Sequence, residues 1–143
     1  MKLPDVNVLM HAFREGMDDH EPCLRWLEHT LTMPDGLALP DHCLAGFLRI
    51  ASNPRIFRDP APTEAAWEFV ERIRRAPSSK SVHATAATWE VLGSWIADDP
   101  LIKGNVIPDA YLAALAASHG CPIVTLDRGF ARFPGLDVEV PSR

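Results

Sequence analysis

Three aspartates in this chain stand where carboxylates do chemistry rather than merely solvate a surface. Asp5 lies in the apolar stretch Lys2–Leu9, which reads as a first strand, close to its carboxyl end. Asp127 directly follows the apolar run Pro122-Ile123-Val124-Thr125-Leu126. Asp109 sits in the first turn of the Ala/Leu-rich helical segment that precedes that run. Each has an ordinary explanation taken alone: a helix dipole favours an acid in its first turn, and acids are common in turns. Together they say more. Ligands of open α/β sheets bind beyond the carboxyl ends of the strands, and three carboxylates converging there repel one another unless a cation offsets them. Hard oxygen ligands select Mg²⁺ or Mn²⁺. Such an ion can orient water, lower its pKa and stabilise charge on a phosphoryl oxygen.

The elements that must hold these acids alternate along the chain. The strand at Lys2–Leu9 is followed by a helix from about Asp18 to Thr30, with Cys23, Leu24, Leu27 and Leu31 at helical spacing. Leu37–Pro40 reads as a buried strand, and Asp41 as the N-cap of a helix carrying Leu44, Phe47, Leu48 and Ile50. A further helix starts at Pro62 or Thr63, a weak strand spans Ser81–Ala84, and Thr88–Ala97 reads as a helix. Pro108 opens the last helix and Gly120 closes it. Cys121–Leu126 and Leu136–Val140 are the final apolar runs. Strands alternating with helices predict a mostly parallel sheet covered on both faces, in one domain spanning residues 1–143.

Bulk properties narrow the function classes. The chain has 143 residues, 47% hydrophobic and 23% charged, with a formal net charge of −5. Disorder, collagen and coiled coil are excluded by that composition. No apolar run approaches the roughly 20 residues that span a bilayer, and the N-terminus lacks a signal-peptide pattern, so a cytoplasmic protein is expected. Cys23, Cys43 and Cys121 form no C-x-x-C, and the six histidines no H-x-x-x-H, so both sets read as structural. The net charge argues against indiscriminate coating of nucleic acid. Residues 49–80 nevertheless hold seven basic and four acidic side chains, a local net of +3, from Arg49 to Lys80. Trp26, Trp67, Trp89 and Trp95 sit among aliphatics at helical spacing and read as core or dimer packing, with stacking on unpaired bases the alternative.

Asp5-Val6-Asn7-Val8-Leu9 resembles the opening Asp-x-Asn strand of PIN-domain nucleases. Gly104 to Ala116 resembles the loop and helix carrying that family's third acid, and Val124 to Leu136 its last acidic strand and turn. Order, spacing and length are similar to VapC toxins of type II toxin–antitoxin modules. The resemblance implies a three-layer α/β/α sandwich and a Mg²⁺- or Mn²⁺-dependent endoribonuclease acting on structured cellular RNA such as tRNA or rRNA. It implies a homodimer inhibited by a VapB-type antitoxin. It makes Asp5, Asp109 and Asp127 the catalytic metal ligands, with Asn7 and Thr125 orienting them. Arg49 stands where the family carries a basic residue, able to hold a phosphate or to form a surface ion pair.

One position departs from the pattern. The family's Glu, three residues before Arg49, is Gly46 here. Asp41, five residues earlier, lies roughly 140° around the helix and is a poor one-for-one replacement, though it could approach the site from the strand end. The gap leaves a second reading open, a catalytically weak or inactive PIN fold that binds RNA or antitoxin. Other chemistries lack their motifs. Asn7 replaces the second Asp a haloacid-dehalogenase requires, a receiver's paired acids are absent, and there is neither a P-loop nor G-x-G-x-x-G.

Overall fold

The computed structural model describes residues 1–142. The first strand is much shorter than its apolar stretch suggests. β1 is Leu3–Pro4, and the chain turns at Asp5 into helix α1, Val6–Phe13. The apolar residues that follow fit a helix as well as a strand, and Val8, Leu9, Met10 and Ala12 bury one face of it. α2, His20–Leu31, packs on α1. β2, Leu37–Pro40, is wholly buried and leads directly into α3, Asp41–Ala51. α4, Thr63–Arg74, returns to β3, Ser79–Val82. α5, Ala86–Asp98, begins in a capping box in which Thr85 and Thr88 bond each other's backbone N–H. A short 3-10 helix over Gly104–Val106 precedes α6, Ile107–Ser118, and Gly120 at φ +64° lets the chain leave α6 for β4, Ile123–Val124. A second 3-10 helix, Arg128–Arg132, leads to β5, Val138–Glu139.

All strand pairings are parallel. β1 pairs β4 through Leu3–Ile123 and Pro4–Val124, β4 pairs β5, and β2 pairs β3 from Leu37–Ser79 to Pro40–Val82. Among the described residues a single bridge, Lys2–Leu37, joins the two sheets, giving the spatial order β3-β2-β1-β4-β5. The bridge stops for a covalent reason. Lys2 N–H donates to Gly36 O, and Ala38 N–H to Lys2 O. The next two donors in this parallel register are the nitrogens of Pro4 and Pro40, which carry no hydrogen. The carboxyl ends of β1 and β2 are therefore not tied to each other, and each proline is followed by an aspartate, Asp5 and Asp41.

Period-two alternation divides the core into two layers. Leu37, Leu39 and Val124 face α1 to α4, packing with Leu9, Leu27, Phe47 and Ile73. Leu3, Ala38, Val82 and Ile123 face α5 and α6, packing with Leu92, Trp95, Leu115, Phe130 and Phe133. Complete burial of Phe47, Phe130 and the largest aliphatics contributes about 1.5–3 kcal/mol per side chain. The result is the expected α/β/α sandwich with its mostly parallel central sheet.

Candidate active site

Asp5 owes its position to the end of β1. Its N–H donates to Val124 O at 2.9 Å, and with φ −70° and ψ 154° it takes the N-cap position of α1. Its carboxylate is gripped from two elements. Asn7 Nδ2, on the first turn of α1, donates to Asp5 Oδ2 at 2.7 Å, and Thr125 Oγ1, just past β4, donates to the same oxygen at 2.7 Å. Thr125 is fully buried, so its hydroxyl is fixed. It accepts from Asn7 Nδ2 at 3.2 Å and from the Asp127 N–H at 3.0 Å. Asn7 Oδ1 accepts from the Leu126 N–H at 3.2 Å. One small network thus sets the Asp5 rotamer and the backbone that carries Asp127. Asp127 Oδ1 then accepts from the Gly129 N–H at 2.7 Å, capping the 3-10 helix.

The third acid arrives on α6, whose first turn reaches the same edge because the helix runs back to feed β4. Burial raises the Asp109 carboxyl above its ordinary value, and the charges of Asp5 and Asp127 raise it further. Burial also raises Asp5, opposed by the Thr125 hydrogen bond and augmented by Asp127. Across α3, burial and the charge of Asp5 push the Cys43 thiol up to about 12. Among the described residues, none of the three aspartates forms an ion pair with a lysine, arginine or histidine. The charge of Asp127 thus acts on both Asp5 and Asp109, and no basic side chain among the described residues offsets it by an ion pair.

That donor set, anionic hard oxygens without a basic neighbour, fits a hard divalent cation. The fit is partial: among the described residues, no three His, Cys, Asp or Glu side chains stand as a group that could hold a metal ion. Mg²⁺ commonly binds through one or two carboxylates and keeps several waters, so these carboxylates suit a shell completed by water and substrate oxygens.

The remaining expected residues separate. Asp41 is the first residue of α3 rather than its side-chain cap, and its carboxylate is exposed, 4.0 Å from His83 Nδ1. Arg49 is exposed on α3 and free of ion pairs among the described residues. A Cβ at Gly46 would meet Val6 Cγ2, at 3.6 Å, the residue that follows Asp5. The basic segment is partly neutralised, with Arg74 and Arg75 held by Glu71, and Lys80 by Asp35. Of the tryptophans, Trp95 is buried and stacks on Phe133, whereas Trp67 and Trp89 are exposed.

One group of side chains is invisible in the spacing. His42 on α3, Tyr111 on α6 and Trp89 on α5 meet in space, with ring centroids 5.2 Å apart for His42–Tyr111 and 5.7 Å for Tyr111–Trp89. They come from three helices, so no periodicity within one helix could reveal them.

An open parallel sheet with acids converging at its carboxyl edge defines the class of fold, and comparison with known proteins places it. The PIN domain family matches residues 2–136. Ribonuclease VapC31 of Mycobacterium tuberculosis is 38% identical over 136 residues, 95% of each chain. Ribonuclease VapC43 of the same organism is 36% identical over 132 residues, 92% of this chain and 89% of its own. The crystal structure of VapBC2 from Rickettsia felis bound to a DNA fragment from their promoter superposes with a TM-score of 0.73 at 18% identity, covering 99% and 98% of the two chains. FitAcB from Neisseria gonorrhoeae gives 0.66 at 17% identity, covering 99% and 98%. The chain belongs to the PIN-domain family and, within it, to the VapC group.

Proposed function

We propose that this protein is the toxin of a VapBC-type module, a cytoplasmic Mg²⁺- or Mn²⁺-dependent endoribonuclease that cleaves structured cellular RNA such as tRNA or rRNA. The observation that carries this reading is that Asp5, Asp109 and Asp127 lie at the carboxyl edge close enough for the charges of Asp5 and Asp127 to raise Asp109, with no ion pair to a basic side chain among the described residues. The names of its relatives, ribonucleases of the VapC group, support it. A divalent ion held there by Asp5, Asp109 and Asp127 would supply an acidified, oriented water and offset charge on a phosphodiester oxygen.

The chain's own residues do the rest. Thr125 and Asn7 hold Asp5 in one rotamer, and the Thr125 hydrogen bond opposes the rise that burial imposes on its carboxyl. Asp109 and Asp127 bring their charge from α6 and from the turn after β4, so the site is built across three segments and forms only in the folded chain. Arg49, free of ion pairs, positions the RNA backbone by its charge. The Asp41 carboxylate is exposed and turned to His83, so it does not stand in for the missing Glu, and the site works with three acids and solvent. The complexes named for the solved neighbours, VapBC2 and FitAcB, support a VapB-type antitoxin as partner, and the protein acts as a homodimer.

Purified protein incubated with total, transfer and ribosomal RNA plus Mg²⁺ or Mn²⁺ tests this. The wild type is expected to cut, and Asp5→Asn to lose at least 100-fold of that rate, about 2.7 kcal/mol of barrier. Equal products from both proteins, or no products from either, would defeat the nuclease reading. Growth arrest that survives in Asp5→Asn and Asp109→Asn would favour a non-cutting binding module instead.

A further inference from the structure

The ring group His42–Tyr111–Trp89 is not used by the chemistry above, yet it sits at the same edge of the molecule. α3 and α5 begin where β2 and β3 end, and α6 begins two residues before Asp109. His42 precedes Cys43, whose thiol feels the charge of Asp5, and Tyr111 lies two residues beyond Asp109. Tyr111 is half-buried and held between its two neighbours, edge-on to His42 at 64° and tilted 46° to Trp89. Trp89 is the outer ring, 60% exposed. Trp67 is nearly as exposed but has no ring contact among the described residues, so exposure alone does not distinguish Trp89. What distinguishes it is a braced indole on the rim of the acidic edge.

We propose that Trp89, steadied by Tyr111 and His42, is a stacking platform for an unpaired nucleobase of the RNA whose scissile phosphate lies at the three carboxylates. The proposal rests on the ribonuclease reading and deepens it. Three features favour a base as the occupant. An indole face accepts any base, because every base has a π-face. Sequence-specific RNA recognition works largely on unpaired bases stacked on aromatic rings. An acidic protein, with a net charge of −5, gains RNA affinity from stacking that its overall charge does not supply. Trp89 would then set which nucleotides the enzyme tolerates beside the cut, while the acids set the chemistry.

The experiment uses the full chain and a short single-stranded oligoribonucleotide that the wild type cuts, together with versions carrying one abasic site at successive positions around the cut. Trp89→Leu is expected to raise KM by roughly 5- to 100-fold with kcat within about twofold. Trp89→Phe should recover most of that affinity. In the Asp5→Asn background, the oligoribonucleotide should quench tryptophan emission, and Trp89→Phe should abolish most of the quench. One abasic position should weaken wild-type binding and leave Trp89→Leu unaffected. The platform is overturned if Trp89→Leu binds and cuts as the wild type does. It is also overturned if Trp89→Leu converts a dimer to a monomer in sedimentation, for Trp89 is then a subunit contact. If the wild type cuts no RNA at all, the ribonuclease reading falls first.

Discussion

Thr125 shows how much one buried hydroxyl can organise. It donates to Asp5 and accepts from Asn7 and from the Asp127 backbone, so two of the three acids depend on it. Thr125→Val keeps the volume and removes all three bonds. We expect a loss of about 10- to 100-fold in activity at saturating metal, and a loss of roughly 1–3 kcal/mol in stability from the stranded N–H of Asp127, read by cleavage rates and by urea unfolding. The carboxylates also predict a pH effect. Asp5 and Asp109 have raised values, so the folded state binds their protons more tightly than the unfolded state does. Their contribution to stability is complete below the ordinary aspartate value of 3.8 and is lost as pH rises through the raised folded values. Metal-free Asp5→Asn should therefore melt above the wild type at pH 7, with the difference closing toward about pH 4. Added Mn²⁺ should raise the Tm of the wild type more than that of the variant.

The elements place these residues, and they were legible unevenly. The order of strands and helices and the burial of Leu37–Pro40 follow from periodicity. The length of β1 does not, because Val6, Val8, Leu9 and Met10 serve a helix or a strand equally, and only pairing ends the strand at Pro4. That error had a consequence: Asp5 is the N-cap of α1 rather than a residue within a strand, which is why its carboxylate meets Asn7 two residues on, in the helix's first turn. The motif around Asp109 and Asp127 could be read because each lies beside a strongly patterned segment. The ring group and the grip of Thr125 on Asp5 could not, since both join elements distant in the chain. Nor could the prolines' joint effect on the β1–β2 ladder, which depends on register. Gly46 on α3 gives a test at this scale. Its missing Cβ faces Val6 with ordinary van der Waals room, and glycine costs an exposed helix interior about 0.8–1 kcal/mol. Gly46→Glu should place a fourth carboxylate beside Asp5 and lower the Mn²⁺ concentration for half-maximal cleavage several-fold. An unchanged midpoint would mean that this face of α3 does not reach the metal.

For the whole molecule, a net charge of −5 first argues against nucleic acid as a partner. In the proposed reading part of that charge belongs to Asp5, Asp109 and Asp127, and in the structure Arg74, Arg75 and Lys80 are occupied by neighbouring acids. RNA binding should accordingly be selective and only mildly salt-dependent. A plot of log affinity against log salt for single-stranded RNA should have a slope near −1.5 to −3, roughly two to four phosphates. A much steeper slope would mean that Arg49, Arg55, Arg58 and Arg72, in no ion pair among the described residues, act together as a longer basic track. The central claim is that Asp5, Asp109 and Asp127 act together on a divalent ion. Anomalous diffraction from Mn²⁺-soaked crystals of the full chain tests it most directly. We predict one dominant Mn²⁺ peak bonded to at least two of these three carboxylates and lost in Asp5→Asn crystals. Mn²⁺ bound elsewhere, or a peak that persists in the variant, would contradict the account.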